Sequence, residues 1–148
     1  MFTHPIAART NTPEDDRNIA FYGSRLSFAG RSVVLENEST ERYQELVDSY
    51  LIQFRPQGAI EALLVDQIVA AQWRLQRIRR AEAAAEYWQT RRQKAEAGQS
   101  ADIPPFCEPL CSSRFRADLR RQKASLTRSY HDSRKCLLEI QNERNNSR

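Results

Sequence analysis

Cys107, Cys111, His131 and Cys136 are the residues of this chain whose types first suggest chemistry, because together they have a C-x3-C…H-x4-C look. A zinc site needs its four ligands within a few ångströms of one another. If Ser113 to His131 is helical, His131 lies about 27–30 Å from Cys111 at 1.5 Å per residue. His131 and Cys136 are also separated by about 140° around such a helix. The four do not make a metal site, and the expectation is a loop cysteine pair with Cys136 weakly buried.

Acid–base and nucleophilic chemistry find even less to work with. The two histidines are His4, close to the start of the chain, and His131, on a polar helix. No G-x-S-x-G elbow and no phosphate-binding glycine loop is present. The four glycines, Gly23, Gly30, Gly58 and Gly98, stand apart where elements would end. Glu82 and Glu86 sit one turn apart, the spacing of a solvated helix face. The chain therefore reads as a non-enzyme with no cofactor, no metal and no small-molecule substrate.

Cations and aromatics carry more. Arg114, Arg116, Arg120, Arg121 and Lys123 set five positive charges against Asp118 alone. Arg116, Arg120 and Lys123 recur at spacings of 4 and 3, a stripe expected to lie off the apolar seam and to grip a polyanion. Arg77 and Arg80 share a side of a helix with Trp73, a pattern that suits phosphate contact and base stacking. The formal net charge is only +4, but it climbs along the chain. Residues 1–55 carry 6 basic against 8 acidic side chains, residues 56–100 carry 7 against 5, and residues 101–148 carry 10 against 6. Any pull on nucleic acid is thus weak and centred on the C-terminal third.

The elements that would position these residues are helices. Ala59 to Ala97 contains neither proline nor glycine and is rich in alanine, glutamate, glutamine, leucine and arginine. Pro56 and Gly98 punctuate it, so a single helix over about 57–97 is expected. It has two apolar strips. Ile60, Leu64, Ile68, Ala71, Leu75 and Ile78 form one, which fails at Glu82, so packing there should stop about one turn past Ile78. Val69, Trp73, Ala84 and Tyr87, flanked by Trp88, form the other. A helix apolar on two sides is sandwiched between partners.

Shorter helices are expected at about 13–22, opened by Thr12-Pro13-Glu14-Asp15, and at 39–55. In the latter Tyr43, Leu46, Val47, Tyr50, Leu51 and Phe54 make an apolar stripe that covers one strip of the long helix. Gly30 to Leu35 reads as an extended strip. Residues 98–111 form a connector in which Pro104-Pro105 excludes helix. A last helix runs over about 113–142, its seam being Phe115, Leu119, Leu126, Tyr130, Leu137 and Ile140, with Gln122, Ser129 and Ser133 interrupting it. Residues 1–11 read as disordered and 143–148 as a frayed end. The fold class is all-α: an elongated antiparallel hairpin or three-helix bundle around one long central helix, with an irregular N-terminal segment. Residues 12–142 make one domain.

Several short words recur in order: Thr12-Pro13-Glu14, Arg31 to Leu35, Tyr43 with Leu46, Pro56-Gln57-Gly58-Ala59, Trp73-Arg74-Leu75, and Leu137 to Gln141. They resemble a group of uncharacterised bacterial proteins of the acidobacterial and planctomycete type. That pattern begins with TPEGK, passes through NALKHGL, VVLPGED and WRL-R, and ends in an RYE…LQ helix. The resemblance spans about residues 12–141 and implies the helical fold and domain extent without implying an activity; its occasional links to transposases are analogy. Asp15 and Asp16 stand where the pattern has Gly and Lys, and Arg25, Leu26 and Ser27 where it has Lys-His-Gly.

These readings point to a helical, coiled-coil-like interaction protein that binds another protein or itself, with Trp73, Tyr87 and Trp88 as the candidate partner surface. The alternative is a nucleic-acid-binding accessory protein, tied to a mobile element, using Arg114 to Lys123. The start of the chain lacks the apolar core of a signal peptide, and no apolar run nears the ~20 residues of a membrane span. With three cysteines and no framework spacing, the expected location is the cytoplasm. Protein purified without added metal should carry no stoichiometric zinc by elemental analysis. A one-to-one signal lost on changing Cys107 and Cys111 to Ser would overturn the distance argument.

Overall fold

The computed structural model describes residues 33–99 and 102–147, together with Pro13 and Arg17. The chain is all-α, and among the described residues there is no strand. Helix α1 spans Thr40–Phe54, α2 spans Ala59–Glu96 and α3 spans Ser113–Asn146, with a short 3-10 helix at Pro105–Cys111. Of the helix expected at 13–22, Pro13 and Arg17 are described and both are helical, the rest lying outside the described residues, as does the extended strip except for Val33 to Leu35, which form a turn.

Local signals place the ends of the helices. Ser39 caps α1, its hydroxyl accepting from the Arg42 N–H at 3.2 Å, and Ser112 caps α3 by accepting from the Phe115 N–H at 3.1 Å. Helix α1 ends at Arg55, whose N–H still donates to the Leu51 carbonyl at 2.9 Å and whose left-handed backbone (φ 43°) then turns the chain out of the helix. Gly58 then opens α2 at φ 95°, a conformation that residues with a side chain rarely adopt. The connector differs from expectation. Pro105 begins a 3-10 helix and Pro109 sits inside it. Proline forbids a long α-helix here, yet its fixed φ suits a short tight turn.

Helix α2 is 38 residues long, about 57 Å. It runs antiparallel to α3, as the pairs Glu61–Arg144, Gln67–Ser133 and Glu82–Lys123 require. The facing positions follow a strict alternation of 3 and 4. On α2 these are Glu61, Leu64, Ile68, Ala71, Leu75, Ile78, Glu82, Ala85 and Gln89; on α3 they are Arg116, Leu119, Lys123, Leu126, Tyr130, Ser133, Leu137, Ile140 and Arg144. All eighteen are buried or half-buried. Such a 3–4 alternation on two antiparallel helices is the pattern of a coiled-coil seam.

Four sequence expectations change here. Packing does not stop after Ile78: Ala85 is buried, and Glu82 stays in the seam because Lys123 meets it. Ile60, assigned to the first strip, is 68% exposed, whereas Glu61 is buried in its place. Gln122 and Ser129 lie outside the α3 seam, which Lys123 joins instead. Helix α3 also continues past Asn142 to Asn146, since Arg144 is tied to Glu61 and holds the last turn.

The second strip of α2 faces α1. Tyr43, Val47, Leu51 and Phe54 form one core with Val65, Ile68, Val69, Trp73 and Leu137, and Val33 closes it from the preceding turn. Tyr43 meets Trp73 edge-on at 5.4 Å between ring centroids. The hydroxyls of Tyr50 and Tyr130 lie 3.5 Å apart and join α1 to α3. Cys107 and Cys111 are buried where the 3-10 helix packs on both α2 and α3, while Cys136 is exposed rather than weakly buried. Truncating Ile68→Ala, at the centre of both packings, should lower stability by about 2–5 kcal/mol. Chemical denaturation would measure it, and a midpoint equal to the parent's would refute this assignment of the core.

Candidate interaction surface

The three aromatic residues expected to form a partner surface have different fates. Trp73 is buried, at 4% exposure, so it is not part of any surface. Its indole N–H donates to Glu38 Oε2 at 2.8 Å. Arg77, one turn on, donates to both oxygens of the same carboxylate, at 2.9 and 2.7 Å, and to the Val33 carbonyl at 2.8 Å. The Leu35 N–H completes the set at 3.0 Å. The Trp73–Arg77 face therefore grips this chain's own carboxylate instead of a phosphate. Glu38 lies thirty-five residues upstream of Trp73, and no spacing rule connects the two.

Tyr87 and Trp88 lie beyond that clamp. Their rings meet edge-on at 5.1 Å. Arg91 stacks its guanidinium 5.7 Å from the Tyr87 centroid and 5.9 Å from that of Trp88, and donates to the Tyr87 hydroxyl at 2.9 Å. The i+3 and i+4 spacings of one helix turn make this cluster. It is held in one geometry before any partner arrives, and Tyr87 remains 53% exposed. Arg91 was missed in the sequence; its position one turn from both aromatics is the signal that could have found it.

The five cations of α3 do not form the expected stripe. Lys123 sits in the seam and donates to both Glu82 oxygens at 3.1 and 2.8 Å. Arg116 is half-buried in the same seam, so neither lies off it. Arg121 pairs with Asp118 within its own helix. Arg114 and Arg120 are exposed, and no ion pair holds either among the described residues. The heptad explains the discrepancy: spacings of 4 and 3 place residues in a seam as readily as on a stripe.

Other chemistry is sparse. Among the described residues no group of three His, Cys, Asp or Glu side chains converges as a metal site would require. A half-open cavity of about 310 Å³ lies between Arg92, Ile103, Pro105, Glu108 and Cys111. Burial pushes the Cys107 thiol up, with the neighbouring Cys111 adding to it. Such a thiol is a poor nucleophile at neutral pH. None of the described helices is long and apolar enough to cross a membrane.

Glu38 titrates unusually. The hydrogen bonds from Arg77 lead, with those from the Leu35 N–H and Trp73 helping, and they hold its carboxyl at about 2 despite burial. A folded pKa below the unfolded one stabilises the fold above the unfolded value of about 4.5, and that stabilisation disappears as pH falls toward 2. Acid unfolding of the parent should steepen in this window. Glu38→Gln should flatten it and cost about 1–3 kcal/mol at neutral pH. Denaturation midpoints recorded from pH 7 downward would decide, and an unchanged slope in the variant would exclude the clamp.

The sequence matches no protein-family model, and neither a curated protein nor a solved structure matches it.

Proposed function

We propose that this chain is a non-catalytic helical interaction protein that offers the Tyr87–Trp88–Arg91 end of its hairpin to a protein partner. The observation that carries this reading is the unequal cover along α2. Helix α1 and the 33–38 turn dress α2 only as far as Arg77. Past it, no described element covers the ring of Tyr87, although the aromatic pair is fixed by Arg91. Large aromatics held rigid on a helix lose little entropy when bound and are common anchors of interfaces.

Nucleic acid is the less favoured occupant. With Lys123 paired across the seam and Arg116 half-buried, Arg114 and Arg120 are the exposed cations of that segment that no described carboxylate holds, Arg121 being exposed but paired with Asp118. Two phosphate contacts release too few counterions to hold a strand at physiological salt.

The test is a benzophenone amino acid at Thr90, which is exposed and one turn from Glu86, so that Tyr87 and Trp88 stay intact. Irradiation in the producing cell should give a discrete protein adduct that disappears when Tyr87 and Trp88 are both changed to Ala. Adducts with nucleic acid, or protein adducts indifferent to those two residues, would refute the reading.

A further inference from the structure

The reading above leaves open what the partner is, and two asymmetries along the hairpin axis bear on it. The first is thickness. Among the described residues, the half near Glu61 has three helices, and the half near the 3-10 helix has two plus that short turn. The second is charge. Residues 79–99 and 102–125, the thin half, carry 10 basic against 6 acidic side chains; residues 33–78 and 126–147, the thick half, carry 8 against 10. Among the described residues, the thick end is therefore net acidic and the thin end net basic. Glu41 and Glu45 are exposed on α1, and Arg114 and Arg120 are exposed on the thin half of α3.

We infer that the partner is a second copy of this chain, docked antiparallel, so that the acidic α1 half of each lies on the basic two-helix half of the other. This rests on the interaction reading above and names its occupant. Thickness and charge are complementary in the same register: the copy's α1 half fills the step beyond Arg77 where Tyr87 is exposed, and its carboxylates meet Arg114 and Arg120. An antiparallel pair is closed, because each copy's two ends are both used. A head-to-tail arrangement would leave one acidic and one basic end free and would continue to grow. Area sets a further condition. One helix about 57 Å long and about 10 Å across offers roughly 570 Å². A stable pair needs about 800 Å² per copy, so α3 must share the contact with α2.

Sedimentation equilibrium of the full chain tests this, with two charge reversals, Glu41→Arg with Glu45→Arg and Arg114→Glu with Arg120→Glu. The parent at tens of micromolar and low salt should have twice the chain mass of 17.2 kDa. Each reversed variant alone should fall to one chain, with helical circular dichroism intact. Mixed one to one, the two variants should regain the double mass, because both contacts of the antiparallel pair then join opposite charges again. A monomeric parent, a double mass that both reversals leave unchanged, a mixture that stays monomeric, or a mass that climbs beyond two chains would each overturn the inference. If a reversal unfolds the chain, the Thr90 crosslinker in a mixture of isotopically heavy and light parent decides instead. It should join heavy to light chains between Thr90 and the 41–53 region. A monomeric parent that crosslinks to a different protein through Tyr87 would end the self-pairing and leave the interaction reading intact. No adduct of either kind would end both.

Discussion

Glu61 is a carboxylate almost wholly removed from water, and three helix ends converge on it. Its Oε2 accepts from the Gln57 N–H at 2.9 Å, just ahead of α2, and from Gln141 at 3.2 Å, while its Oε1 accepts from Arg144 at 2.5 Å near the end of α3. Gln141 also donates to the Phe54 carbonyl at 2.6 Å, one of the carbonyls that the end of α1 leaves without a helical partner. A buried charge is tolerable only when paired and hydrogen-bonded. The start of α2 cannot pack unless the ends of α1 and α3 arrive beside it. One side chain thus couples the closing turn of α1 to the register of the long hairpin.

The second ionic pair in the seam works with the first. Glu61 and Glu82 stand three heptads apart on α2, and Arg144 and Lys123 three heptads apart on α3. A slip of one heptad would set Glu61 against Leu137 or Glu82 against Tyr130, burying a carboxylate without its cation. Apolar seams of alternating 3 and 4 spacing are tolerant of such slips, and polar seam residues remove that tolerance at a cost in stability. Register along the hairpin is therefore set by electrostatics, while cohesion comes from the aliphatic positions between the pairs.

The Glu38 clamp limits how far the third helix reaches. It binds the turn before α1 to Trp73 and Arg77, which fixes where cover of α2 begins and leaves the Tyr87 end to the two-helix half. Aromatic and cationic side chains recur along α2 from Trp73 onward, but their surroundings differ. Trp73 and Arg77 spend their donors within the chain, whereas Tyr87, Trp88 and Arg91 stack on one another and Tyr87 keeps an exposed face. Preorganised and exposed groups are available to a partner; internally satisfied ones serve the fold.

The all-α class, the capping residues Ser39 and Ser112, the stripe of α1 and the uninterrupted α2 are all determined by local sequence, because capping and helix propensity act within a few residues. Helix propensity likewise sets His131 far from Cys111, because the first turns of α3 stand between them. What tertiary structure decided is which polar residues turn inward. Glu82 looked like the end of a strip and Lys123 like part of a phosphate stripe; each changes meaning because the other lies across from it on the neighbouring helix. Trp73 looked like a contact surface until Glu38, far upstream, took its N–H. Charges of this kind are buried or exposed according to whether a partner arrives from a distant part of the chain, and a spacing rule that reaches only a turn or two cannot see that partner.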